Sequence, residues 1–177
     1  MRKFFYAFGL ASALMFAVAE QAAAPNFAGT WVLEKSKSQG LTSSHRSFER
    51  TTWKITQTDK EISIDQTYAG FNDAGLPPAR PGRGGAGKPI GPRIYNLDGS
   101  ETIADAGRTK YVRKAILSSD GKTLELVEKT ISQGTDGEVT STSTDKLSLS
   151  EDGKVMTVIR HTEGSLQPKE STLVFNK

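Results

Sequence analysis

Beyond Pro25 the chain alternates apolar and polar residues in short runs rich in Thr, Val and Ile. A period of two is the pattern of a strand with one buried face. Such runs lie at Gly29–Glu34, Thr51–Gln57, Glu61–Ala69, Arg93–Leu97, Thr109–Leu117, Lys122–Ser132, Glu138–Leu149, Lys154–Thr162 and Ser171–Asn176. They predict about nine strands. The only helical expectation is one short turn within Ser43–Arg50.

The connections support hairpins. Asp-Gly stands at 98–99, 120–121 and 152–153, each time between two runs. Gly after Asp supplies the positive φ that tight hairpin turns require. Leu117–Thr130 and Leu149–Thr162 resemble each other at an offset of 32 residues, read here as two hairpins sharing one turn chemistry. Sequential hairpins form an antiparallel up-and-down meander. That many strands in one domain either close into a barrel or stack as a sandwich, and closure removes exposed edges. The expectation is an all-β, eight- to nine-stranded barrel, a size that is filled by side chains or holds one small ligand.

Alternation also groups side chains by face. Trp53 and Ile55 share one, as do Ile62, Ile64 and Tyr68. Tyr111, Arg113 and Ala115 share another, as do Met156, Val158 and Arg160. Facing inward, they make an apolar wall with a few polar heads, suited to a fatty acid, isoprenoid or aromatic carboxylate paired with Arg113 or Arg160. The competing reading is a packed core with both arginines outside or plugging the base. The period alone does not say which face is inside.

Composition changes the picture at the N-terminus. Arg2 and Lys3 precede an apolar run that ends in small residues, the layout of a secretory signal peptide over 1–19 with cleavage after Ala19. An uncut anchor is the alternative, though the run is short for a span. The expected domain is 20–177, soluble, in a periplasm or secreted, with no membrane anchor after cleavage. Without Arg2 and Lys3 the 23 basic residues fall to 21, against 20 acidic, so nucleic acid is not expected as a partner. The chain has no Cys, so no disulfide supports the core and no lipid can be attached at one.

The segment 70–92 holds seven Gly and five Pro, and reads as a long loop. Its "GRGGAGKP" (Gly82–Pro89) approaches a phosphate-binding loop, but Pro89 stands where the magnesium-binding hydroxyl belongs, and no buried strand precedes it. Nucleotide binding is not expected. Arg80, Arg83 and Lys88 make the loop cationic, a lid for an anionic ligand or a plain tether. His45 and His161 lack metal-site spacing and are expected at surface or edge positions. No catalytic motif stands out, and no metal or cofactor is expected.

"NFAGTWVLEKSKS" (Asn26–Ser38) resembles the G-x-W opening of lipocalins and related calycin barrels. It is similar to small exported bacterial proteins with a lipocalin-like domain and no settled function. The long insertion after Ala69 departs from that pattern. The resemblance implies that Gly29 lets the chain turn across the closed end of a barrel, and that Trp31 plugs that end under a late-strand cation, assigned to Arg160. It also implies a monomer that binds a small hydrophobic or amphipathic molecule. Trp53, Ile55, Ile62, Ile64, Tyr68, Tyr111, Arg113, Met156 and Val158 would line the site. The alternatives are an envelope protein–protein interaction module working through the barrel-mouth loops, and a barrel isomerase or lyase using Tyr and Arg.

Overall fold

A computed structural model describes residues 25–71, 91–134, 137–164 and 169–177. The signal-peptide expectation for 1–19 and nearly all of the Gly/Pro-rich loop, with Arg80, Arg83 and Lys88, lie outside the described residues.

Ten antiparallel strands follow one another: β1 (Gly29–Leu33), β2 (Phe48–Gln57), β3 (Glu61–Phe71), β4 (Arg93–Asn96), β5 (Thr102–Ala106), β6 (Thr109–Leu117), β7 (Thr123–Gly134), β8 (Gly137–Leu149), β9 (Val155–Glu163) and β10 (Glu170–Asn176). Each strand pairs with its sequence neighbours except at β4 and β5, and β1 pairs with β10 (Val32 opposite Asn176). The result is an up-and-down meander, nearly closed into a barrel. The seam falls between β4 and β5, two short strands, which limits the unpaired edge. The Thr102 hydroxyl donates across it to the Ile94 carbonyl at 2.6 Å.

The strand missing from the sequence reading is β5. Its only large apolar residue, Ile103, points outward and is 58% exposed, so it gives no buried period. Between β1 and β2 lie a 3-10 turn (Lys35–Lys37) and helix α1 (Ser43–Ser47), the latter capped at Thr42, whose hydroxyl accepts from the His45 N–H.

The 32-residue similarity is turn chemistry. Ser118 donates to Asp120, which accepts from the Lys122 N–H, while the Thr123 N–H donates to Ser118. Ser150, Asp152, Lys154 and Val155 repeat every bond. Gly121 and Gly153 carry the positive φ, 68° and 66°.

These two turns, the β2–β3 turn and the β4–β5 turn all lie at one end of the barrel. The interior beside them is apolar, with Leu33, Ile55, Ile62, Tyr95, Leu124, Leu147, Met156 and Phe175 all buried. Phe27 and Trp31 lie in this core, and the Trp31 indole donates to the Phe27 carbonyl at 2.8 Å. Gln57 holds the preceding segment, accepting from the Phe27 N–H and donating to the Pro25 carbonyl, each at 2.9 Å. Gly29 turns the chain here at φ 144°. The cation over Trp31 is Lys177, its Nζ 5.2 Å from the ring centroid. Arg160 lies elsewhere, 6.0 Å over Trp53, because its inward phase on β9 places it beyond Met156 and Val158, toward the opposite end.

Candidate functional site

Towards the α1 end the same inward phases turn from apolar to polar. On β2, Thr51 follows Trp53. On β4, Arg93 follows Tyr95. On β6, β7 and β8, Arg113, Glu128 and Asp145 succeed Ala115, Leu126 and Leu147. A charged layer therefore rests on the apolar core, with three guanidiniums against two carboxylates.

Asp145 is its centre. Arg160 grips it with two hydrogen bonds, Nε to Oδ1 and Nη2 to Oδ2, both 2.6 Å. Arg93 approaches the same carboxylate more loosely, Nη1 to Oδ2 at 3.8 Å. The pairing follows from register, since Asp145 stands directly opposite Arg160 across β8 and β9. Burial pushes the Asp145 carboxyl up, but the Arg160 charge, its hydrogen bonds and Arg93 outweigh that and hold it below the usual carboxylate range. Arg160 is likewise held protonated: burial opposes its charge and Asp145 overcomes the penalty.

Trp53 lies within this layer. The Arg93 and Arg160 guanidiniums stand 5.0 and 6.0 Å from its ring centroid, and Phe175 packs at 4.7 Å. Further round the barrel, Arg113 Nε donates to Glu128 at 2.5 Å and its guanidinium lies 5.1 Å from Tyr111. Again the two charges face each other by register.

His45 enters from α1. It is 2% exposed, contrary to the expected surface position, because Thr42 caps the helix so that the ring turns toward Tyr68, 6.4 Å between centroids. Burial, then the Arg160 and Lys35 charges, push its pKa down to about 4, so the ring is neutral near pH 7. His161 is half exposed beside Glu163.

Four buried polar atoms in this region lack a hydrogen-bond partner: His45 Nε2, Thr51 Oγ1, Trp53 Nε1 and Arg93 Nη2. Each such atom ordinarily costs about 1–3 kcal/mol, so these four leave hydrogen-bonding capacity that the surrounding protein groups do not fill.

Of the nine residues expected to line a ligand, Trp53, Ile55, Ile62, Ile64, Met156 and Val158 are 0–2% exposed and pack into the core. Arg113 lies in the charged layer, Tyr68 (40% exposed) stands directly opposite Thr51 across β2 and β3, and Tyr111 is half-buried. The sequence reading missed Asp145, Glu128, Arg93, Thr51 and His45. Burial raises Tyr95 to about 12 and also raises Tyr68, so neither phenol ionises near neutral pH. The layer has one more guanidinium than carboxylates, and two of its unpartnered atoms, Trp53 Nε1 and Arg93 Nη2, can only donate. Among the described residues no group of three His, Cys, Asp or Glu could hold a metal. No protein-family model, no curated protein and no solved structure matches the chain.

Proposed function

We propose that this is an exported, lipocalin-like binding protein that holds one small amphipathic molecule inside the barrel. The observation that carries the reading is the incomplete polar layer, with four unpartnered buried atoms above a filled apolar floor. Binding is a better use of that layer than catalysis, because burial holds the His45 ring neutral near pH 7 and the nearby Tyr95 phenol protonated. The test is native mass spectrometry of the full chain produced with its leader in a bacterial host. The expected result is a protein beginning at Glu20, recovered outside the cytoplasm, that releases a stoichiometric small molecule on denaturation. A stoichiometric protein partner in its place overturns the reading and supports an interaction module. One feature favours that second reading: Ile94 and Ile103 are exposed on the two strands flanking the seam.

A further inference from the structure

Independently of what the interior holds, we propose that the seam is a docking slot for an extended, basic segment of another polypeptide. The segment adds as a strand between β3 and β5, continuing the place that β4 leaves short.

β4 fills the seam only at the closed end. Its residues pair with Glu61–Ile64 of β3, the last pair being Ile64 and Arg93. There the strand stops, because Pro92 has no N–H to donate and Gly91 turns the chain at φ 30°. Toward the α1 end β3 runs on through Asp65–Gly70 and β5 through Ile103–Ala106. Among the described residues no strand lies between them.

The ladders fix which backbone groups face this gap. Alternate residues of an antiparallel strand direct their N–H and C=O to opposite sides. The Thr58 N–H donates to the Glu61 carbonyl, and the Leu97 N–H to the Lys60 carbonyl. Odd-numbered residues of β3 therefore serve β2, and even-numbered ones turn to the β4 side, so Gln66 and Tyr68 face the gap. Across it, the Gln133 N–H donates to the Arg108 carbonyl, so the even-numbered residues of β6 serve β7. Thr109, Tyr111 and Arg113 then bond Ala106, Ala104 and Thr102, which leaves Ile103 and Asp105 facing the gap. None of these four residues has a backbone partner there among the described residues. Side chains do not hide the two edges: Tyr68 is 40% exposed and Ile103 58%.

An unpaired edge accepts any strand, and charge selects among them. Asp65, next to the buried Ile64, and Asp105, in phase with Ile103, point outward on the two lips. Both are exposed, and neither forms an ion pair among the described residues. A second copy offering the same edges brings carboxylate against carboxylate, which disfavours pairing of like with like. A segment with Lys or Arg at alternate positions sets its cations beside both carboxylates, while the residues between them face inward next to Tyr68 and Ala104. The gap takes about five residues of extended chain, roughly 17 Å.

The experiment adds three capped peptides, VKVKVK, VEVEVE and VKPKVK, to the full chain, and reads binding by calorimetry and amide hydrogen exchange by NMR. VKVKVK should bind and slow exchange at the Gln66, Tyr68, Ile103 and Asp105 amides. The Thr67 and Ala104 amides, already bonded in their ladders, should change little. VEVEVE should bind at least roughly tenfold more weakly, because it meets both carboxylates with like charge. VKPKVK loses a donor in mid-strand and should weaken by roughly tenfold. Ile103→Pro removes a gap-facing N–H without touching the β5–β6 bonds, and should weaken VKVKVK by a similar factor. Asp65→Asn with Asp105→Asn leaves the backbone intact, and should bring VKVKVK and VEVEVE within about twofold of each other. VEVEVE binding as tightly as VKVKVK to the parent chain overturns the basic partner. VKPKVK binding as tightly, or binding without protection at those four amides, overturns strand addition. Protection of the four amides in the free chain overturns the open slot, and its dependence on protein concentration tells a second copy from the chain itself. Failure of VKVKVK to bind overturns the proposal and leaves the small-molecule reading untouched.

Discussion

Replacing Asp145 with Leu tests whether the charged layer is a coupled unit. The side chain is 4% exposed and takes two charge-assisted hydrogen bonds from Arg160. Its removal leaves Arg160 (15% exposed) without its counter-charge in a place that water barely reaches. Breaking a buried pair from one side costs roughly 3–5 kcal/mol, mainly the uncompensated charge left behind. With a urea slope of about 2 kcal/mol per molar, the midpoint should fall by roughly 2 M. Arg93 softens this little, since its contact is long and its side chain is more exposed. The decisive variant is Asp145→Leu/Arg160→Met. Replacing both partners by apolar groups removes the stranded charge, so the double variant should recover most of the loss and show strong coupling in a double-mutant cycle. Equilibrium urea unfolding followed by circular dichroism gives all four stabilities. If Asp145→Leu lies within about 1 kcal/mol of the parent, or the double variant is no more stable than the single one, the layer is not coupled as described.

His45 predicts a pH dependence. Its folded pKa, about 4, lies below the ordinary value of 6.5, so the unfolded chain binds the proton more readily between those limits. Its contribution to stability is full above pH 6.5 and lost as pH falls toward 4, with an upper limit of roughly 3 kcal/mol; His45→Gln should flatten that part of the urea-midpoint profile. Asp145 acts in a lower window: its depressed pKa gives stability that fails only as pH drops below the usual carboxylate range. Gly40→Ala should destabilise by several times more than Gly153→Ala, although both have φ near 65°. An added Cβ at Gly40 meets the Glu170 carbonyl at 2.4 Å, while at Gly153 nothing lies within 4 Å, so the latter should cost only about 1–2 kcal/mol in thermal unfolding. Trp31→Phe should lose a buried hydrogen bond and packing volume, about 2 kcal/mol, whereas Lys177→Gln should cost about 0.5–1 kcal/mol, the value of an exposed cation–π contact.

The strands were legible because their apolar phase is strong near the closed end. Trp53 with Ile55, and Met156 with Val158, share the buried face as the alternation indicated. The charged layer was harder to read because the period fades into Ser, Thr and charged residues. In "STSTDKLSL" nothing marks Asp145 except that it lies two before Leu147 and four before Leu149. Carrying that phase onward gives its inward position, and the same rule finds Glu128 from Leu124 and Leu126, and Arg93 from Tyr95. Thr51 was within reach by phase from Trp53. His45 was not, because five helical residues carry no period and its burial depends on the Thr42 cap. The cation over Trp31 went to Arg160 on resemblance, and only the register of β10 brings Lys177 to that end.

The seam also has a kinetic side. The gap in the ladder lies between consecutive strands, while β1 and β10 are hydrogen-bonded partners and Gly29 lies against the Lys177 side chain. In the natural order, pairing Val32 with Asn176 closes a loop around the whole domain, the slowest kind of contact to make. A circular permutant that links Lys177 to Asn26 and is cut at Asp98–Gly99 would turn that pairing into one more hairpin. Every ladder in the sheet would then join neighbours along the chain, and the barrel should assemble faster without any change to its interior.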